Sequence, residues 1–279
     1  MKKFKKILIY TSSSFLEKKE TKDVIKYLSR KSSFLEVYSL GLKNNTSNKI
    51  KYDLVLSIGG DGVFIAASKY AYEKTIPVLG LNFGRLGFLA DLDKKHFQSK
   101  ILQVLDGNYT IDKRTMLMGH VSSNNTVHKS IALNDIVINN CGKLKMIEMD
   151  IYVNHNLINK QRSDGVIIAS PTGSTAYAMS NGCPIVSPQS NVICIVPIAP
   201  HSYGQRSVII NNSDKITIKV KRKSIENSQV TFDGANNLTI KNPTDIAIKK
   251  ANRQLQIIHP CDYDYFKVLS KKLRYDIKS

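Results

Sequence analysis

Along the first hundred residues, short apolar runs alternate with longer stretches in which apolar positions recur every three or four residues. The runs 7–10, 35–40, 54–58 and 77–81 are short and almost wholly apolar, which is the pattern of strands buried on both faces. Between them, 16–32, 63–73 and 94–105 carry helical spacing, and Asp106-Gly107-Asn108 stops the last of these. Strand and helix in alternation predict a Rossmann-like, doubly wound parallel sheet over residues 1–108. After Tyr109 the texture changes to short Val-, Ile- and Thr-rich runs, including 116–122, 131–137, 146–153, 192–196 and 216–220, punctuated by Asn, Gly, Ser and Pro. That pattern predicts an antiparallel β-sandwich over 109–259. The fold class expected is therefore α/β plus all-β, with a last helix over 263–274, inside a segment 260–279 that packs back on the first domain.

Composition narrows this picture. Of 279 residues, 42% are hydrophobic and 23% charged, a globular balance that suits two cores better than one. The apolar run after the basic start (Lys2, Lys3, Lys5, Lys6) is about four residues long, too short for a signal, and no stretch reaches the roughly 20 residues of a membrane span. A soluble protein with no membrane partner is expected. Cys141, Cys183, Cys194 and Cys261 show no metal-binding or disulfide spacing, which fits reduced thiols in the cytoplasm. The net charge of +19 raises the question of nucleic acid. Its lysines are spread along the whole chain, with no RNP-like strand, finger spacing or basic arm, so no nucleic-acid partner is expected; the positive field would gather phosphorylated substrates.

Two segments carry chemistry. The strand-like 53–58 runs into Gly59-Gly60-Asp61-Gly62 and then into an apolar, helix-compatible stretch. A glycine turn between a buried strand and a helix brings backbone N–H groups and a helix dipole to an anion, and the carboxyl end of a strand in an open sheet is where ligands bind. Asp61 in that turn is a carboxylate beside anions. It can take the proton of an attacking hydroxyl or help hold Mg²⁺; the plainer reading is a helix cap. The loop is neither a Walker A sequence nor a Gly-x-Gly-x-x-Gly fingerprint. The second segment is Gln161-Arg162-Ser163-Asp164-Gly165, an apolar strand, and Ser170 through Ser180. Its small and hydroxylated residues allow a flat ligand close to the backbone, and Tyr177 can pack on a ring; a capped turn with a core tyrosine explains the same residues.

Taken together and in order, Gly59-Gly60-Asp61-Gly62, Asn82 to Asp91, Asn134-Asp135, Asp164-Gly165 with Ser170 to Tyr177, and Asp233-Gly234 closely resemble the NAD kinase family over nearly the whole chain. The resemblance implies an active site in the cleft between the two domains. ATP with a divalent metal (Mg²⁺) would phosphorylate the 2′-hydroxyl of the adenosine ribose of NAD to make NADP. It implies Asp61 as general base and Gly59, Gly60 and Gly62 as the phosphate loop. It further implies an NAD site of Asp61, Gly62, Asn134, Asp135, Lys145, Arg162, Asp164, Thr175, Ala176, Tyr177 and Ser180, no metal ligands fixed by the protein alone, and a homodimer or homotetramer.

Other features have a plain competitor or depart from the pattern. Asn134-Asp135 read alone is a strand-entry turn. Arg85 either contacts phosphate or braces its loop, and His201 matches a family histidine for which a structural hydrogen bond is the expected job. Cys183 stands where glycine is usual, Tyr203 to Ser207 departs from Leu-Ser-x-Arg-Pro, and Ala235 replaces a frequent glutamine, which puts one polar substrate contact in doubt. A lipid or sugar kinase of the same superfamily, or a non-catalytic nucleotide- or nucleic-acid-binding protein, are the rival readings.

Overall fold

The computed structural model describes residues 3–40, 50–83, 87, 89, 97–123, 126–140, 146–221, 224, 228–240 and 245–274. In chain order the elements are β1 (Lys6–Ser12), α1 (Ser13–Leu16), α2 (Lys19–Ser29), β2 (Phe34–Leu40), β3 (Leu54–Ile58), α3 (Asp61–Lys74), β4 (Val78–Leu81) and α4 (Phe97–Leu105). There follow β5 (Thr110–Ser123), β6 (Thr126–Ala132), β7 (Asp135–Asn140), β8 (Ile147–Val153), β9 (Asn156–Ser163) and β10 (Gly165–Ala169). A 3-10 turn (Thr172–Thr175) leads into α5 (Tyr177–Ser180), and the chain ends with β11 (Val192–Ile198), β12 (Val208–Asn211), β13 (Ile216–Val220), β14 (Ser228–Phe232), β15 (Ala235–Thr239), β16 (Asp245–His259) and α6 (Tyr265–Leu273).

The chain divides into two compact units: residues 1–113 with 255–279, and residues 114–254. The division falls within β5 and β16, so 109–113 and 255–259, expected in the second domain, lie in the first unit.

In the first unit β2, β1, β3 and β4 lie side by side and parallel, and Ile257 near the end of β16 pairs with Val78 of β4. β3 is buried along its whole length, as its unbroken apolar run requires. Ile7, Ile9, Leu54, Leu56 and Leu79 meet Val24 and Leu28 of α2 and Ile101 and Val104 of α4 in one core. Each such side chain contributes about 1.5–3 kcal/mol through burial. α3 turns Val63, Phe64, Ala67 and Ala71 inward and ends at Thr75, which takes the left-handed conformation at φ 59°. The helix expected over 16–32 is α2, shorter at both ends: the chain is extended at Lys18 before it begins, and it ends at Ser29.

The second unit is all-β. β12-β11-β10-β7-β14-β15 form one antiparallel sheet, and β9-β8-β13 with the first part of β16, joined by β5 and β6, form another. Alternating residues of both, among them Ile136, Ile138, Val166, Ile168, Met149, Ile151, Ile216 and Ile218, fill a shared core, as in a sandwich. The strand expected over 131–137 is interrupted: β6 ends at Ala132 and β7 starts at Asp135. Leu133 and Asn134 sit in that gap.

Candidate functional site

The phosphate-loop candidate belongs to the first unit. β3 delivers the chain to Gly59, whose N–H donates to the Leu81 carbonyl at 3.0 Å. Gly59 has φ +156°, and a Cβ there would lie 2.7 Å from Cγ2 of Val63, so the turn admits only glycine. Gly60 is the N-cap of α3, and its carbonyl accepts from Val63 and Phe64 at 3.0 and 3.1 Å. The cap position is thus Gly60, and half-buried Asp61 stands one place inside, in the first turn. Gly60 and Gly62 differ from Gly59 in that a Cβ on either meets nothing within 4 Å among the described residues. Among the described residues their small size answers no packing need; it leaves open space over the N-terminus of α3, where the helix dipole and first-turn amides favour an anion.

Gly87 comes back against this loop. A Cβ on it would overlap the Oδ1 oxygen of Asp61, so Gly87 packs directly against that carboxylate. Arg85 lies outside the described residues.

The second candidate, in the second unit, is a pocket of about 330 Å³ whose walls include Asn134, Asp135, Ala176, Tyr177, Asp233 and Gly234. Two segments build it. The Ser170 hydroxyl donates to the Leu133 carbonyl at 2.5 Å, and the Ser170 N–H to the Asn134 carbonyl at 2.8 Å. Gly173 packs so close to that carbonyl of Asn134 that a Cβ would collide with it. From the other side the Asp233 carboxylate accepts three successive amides, of Leu133, Asn134 and Asp135, at 3.0, 2.7 and 3.2 Å. These bonds accompany the break in the expected strand: the Leu133 and Asn134 amides in the gap are taken by a carboxylate, and β7 begins at Asp135.

Arg114, 2% exposed, donates from Nη1 to the Thr172 hydroxyl at 3.2 Å and so anchors the start of the segment that presents Ala176 and Tyr177. Tyr177 is 48% exposed, so it is no core tyrosine. The structure brings Asn134, Asp135, Ala176 and Tyr177 to one pocket; Thr175 and Ser180 flank it in sequence without lining it. The half-buried Thr175 donates its hydroxyl to the Thr172 carbonyl at 3.2 Å. Arg162 and Asp164 keep exposed side chains while their backbones are pinned: the His201 N–H donates to the Arg162 carbonyl, and the Asp164 N–H to the Ile198 carbonyl, each at 3.0 Å. Lys145 lies outside the described residues. The departure at Cys183 fits its surroundings: it is buried in an apolar cluster with Cys194. A thiol–thiol hydrogen bond to Cys183, with burial, pushes the Cys194 thiol well above its ordinary pKa. Ala235 opens β15 opposite Phe232.

The roles of Arg114 and Gly87 had no local signal in the sequence, since each depends on a partner distant along the chain. Asp233-Gly234 did have one: Asp-Gly between two strand-like runs predicts a two-residue hairpin.

The fold pairs an α/β unit, with a glycine turn opening a helix after a buried strand, and an all-β unit with a polar pocket; comparison with known proteins gives its class. Residues 7–109 match the model of the ATP-NAD kinase N-terminal domain, and residues 133–260 that of the ATP-NAD kinase C-terminal domain. A protein of Legionella pneumophila (strain Corby) named NAD kinase is 37% identical over 229 residues, 82% of this chain and 78% of its own. One from Coxiella burnetii (strain RSA 493 / Nine Mile phase I), also named NAD kinase, is 39% identical over 229 residues, 82% of this chain and 76% of its own. The chain belongs to the NAD kinase family. Among solved structures, yeast NADH kinase complexed with NADH superposes with TM-score 0.85 at 21% identity, covering 100% of this chain and 90% of that one. An NAD kinase from Archaeoglobus fulgidus in complex with ATP gives 0.76 at 23%, covering 96% and 98%. At these identities the likeness speaks for the fold.

Proposed function

We propose that the chain makes NADP by transferring the γ-phosphoryl group of ATP to the 2′-hydroxyl of the adenosine ribose of NAD, with Asp61 accepting the hydroxyl proton. ATP-dependent phosphorylation of NAD is the activity of the family to which the chain belongs. The observation that carries the assignment of the base is the loop itself: a carboxylate in the first turn of α3, between two glycines whose Cβ directions are open.

A carboxylate in water, with a pKa of about 3.9, is a weak base toward a sugar hydroxyl. The contribution of Asp61 then comes from holding that hydroxyl in line with the γ-phosphate and receiving the proton late, when the oxygen has become acidic. The transition state of phosphoryl transfer is loose, and the amides of the glycine loop stabilise the charge on the equatorial oxygens. A magnesium ion bound to a nucleotide would be held mostly by phosphate oxygens and water, with no ligand fixed by the protein alone, which leaves Asp61 for the proton. When bound, the ion neutralises phosphate charge.

The acceptor is assigned to the pocket of the second unit. There Asn134 and Asp135 supply the polar contacts, Tyr177 offers a ring face, and the backbone at Ala176 lets the adenylate approach closely. The family pattern adds Lys145, Arg162, Asp164, Thr175 and Ser180 to this acceptor site, and we propose a cytoplasmic homo-oligomer as its setting. Among the described residues no helix is long and apolar enough to cross a membrane.

Purified protein given NAD, ATP and Mg²⁺ should form NADP, and Asp61→Asn should lower kcat by about 100- to 10,000-fold while NAD still binds. An Asp61→Asn variant with wild-type kcat would remove Asp61 from the chemistry.

A further inference from the structure

We infer that Asp233 is a positioning residue for the acceptor, holding the Asn134–Asp135 turn in the one shape that receives the dinucleotide. This rests on the function proposed above.

The run 131–137 is strand-like on both sides of Asn134-Asp135, and at Leu133 and Asn134 the chain turns. The turn is held on both edges. On the carbonyl edge, Ser170 donates its hydroxyl to Leu133 and its N–H to Asn134. On the amide edge, Oδ2 of Asp233 accepts from Leu133, and Oδ1 from both Asn134 and Asp135. Successive amides converging on one point form an anion-binding concavity, here filled by a carboxylate of the chain itself. Charge-assisted bonds of this kind are short and directional, which is what a rigid pocket wall requires.

The carboxylate is in turn fixed by its own backbone. Asp233 has φ +53° and Gly234 φ +66°, and they join β14 to β15 with Phe232 opposite Ala235. Two successive left-handed residues in a two-residue hairpin loop make a type I′ turn, for which Asp-Gly and Asn-Gly are both favoured. The turn alone would accept Asn. Asn would keep a carbonyl oxygen for Asn134 and Asp135, but its NH₂ would face the Leu133 N–H, donor against donor. The choice of Asp over Asn is therefore explained by the clamp and not by the hairpin, and Asp233→Asn separates the two.

The test uses the full chain with Asp233→Asn and Asp233→Ala. Three quantities are read: KM for NAD and for ATP, thermal melting, and hydrogen exchange of the segment 131–138. For Asp233→Asn we expect KM for NAD to rise about tenfold, KM for ATP and kcat to stay within about twofold, and exchange at 133–135 to speed up, with melting shifted by no more than a few degrees. Asp233→Ala should extend the same trend and melt lower. An unchanged KM for NAD in Asp233→Asn, whatever the exchange, would overturn the proposal, as would unchanged exchange at 133–135 or an equal rise in KM for ATP, which would mark a general loss of structure. Should the wild-type protein form no NADP, the functional reading falls and the acceptor role with it. Exchange at 133–135 would still decide whether Asp233 holds the turn.

Discussion

At the scale of single residues, the glycines near Asp61 divide into those that their surroundings require and those with open space on the Cβ side among the described residues. Gly59 is held by its positive φ and by Val63, and Gly87 by the Asp61 carboxylate. Gly60 and Gly62 have open space on their Cβ side. Gly62→Ala should therefore melt at or slightly above wild type, gaining about 0.5 kcal/mol from helix propensity, while kcat/KM for ATP falls at least tenfold as the methyl intrudes where phosphate approaches. Gly59→Ala should do the reverse in stability, losing about 1–3 kcal/mol to strain and overpacking. Melting curves and initial rates on the two variants check both. A Gly62→Ala enzyme with wild-type kinetics would mean that nothing approaches α3 from that side.

At the scale of elements, what was legible in the sequence was what depends on near neighbours. The buried strand 54–58 and the helix after it follow from an apolar run, a glycine turn and helical spacing, and the structure places α3 within two residues of that reading. Asp61 and Tyr177 stood out from their local sequence, and Asn134, Asp135 and Ala176 through the resemblance to the family, whereas what holds the break at Leu133 and Asn134 was not visible. Asp233 lies about a hundred residues away, and tertiary hydrogen bonds overrode a local β pattern. The helix expected over 263–274 was legible because its cap is local: the Asp264 side chain accepts from the N–H groups of Phe266 and Lys267 at 2.9 and 3.3 Å. α6 has no buried residue, so little packing compensates if the cap is lost. Asp264→Ala should cost about 1 kcal/mol, confined to α6. Hydrogen exchange in 265–273 should accelerate about fivefold, with activity retained.

At the scale of the whole molecule, the excess of positive charge is the property least explained by folding. The chain carries 41 basic and 22 acidic residues, a net charge of +19, and both substrates proposed for it are anions. A lysine-rich composition produces such a charge with no function attached, whereas a charge that draws in ATP must act through solvent and so must be screened by salt. Raising salt from about 10 mM to about 100 mM shortens the screening length from about 30 Å to about 10 Å, which cuts off distant lysines while leaving contacts inside a bound complex nearly intact. If the field gathers substrate, kcat/KM for ATP should fall about three- to tenfold over that range, with kcat at saturating ATP within about twofold. The loss should be smaller for NAD, which carries less charge. Equal and small effects on both substrates would mean that the lysines only keep the surface solvated, and the affinity for ATP would then belong to the glycine loop and to Asp61's surroundings alone.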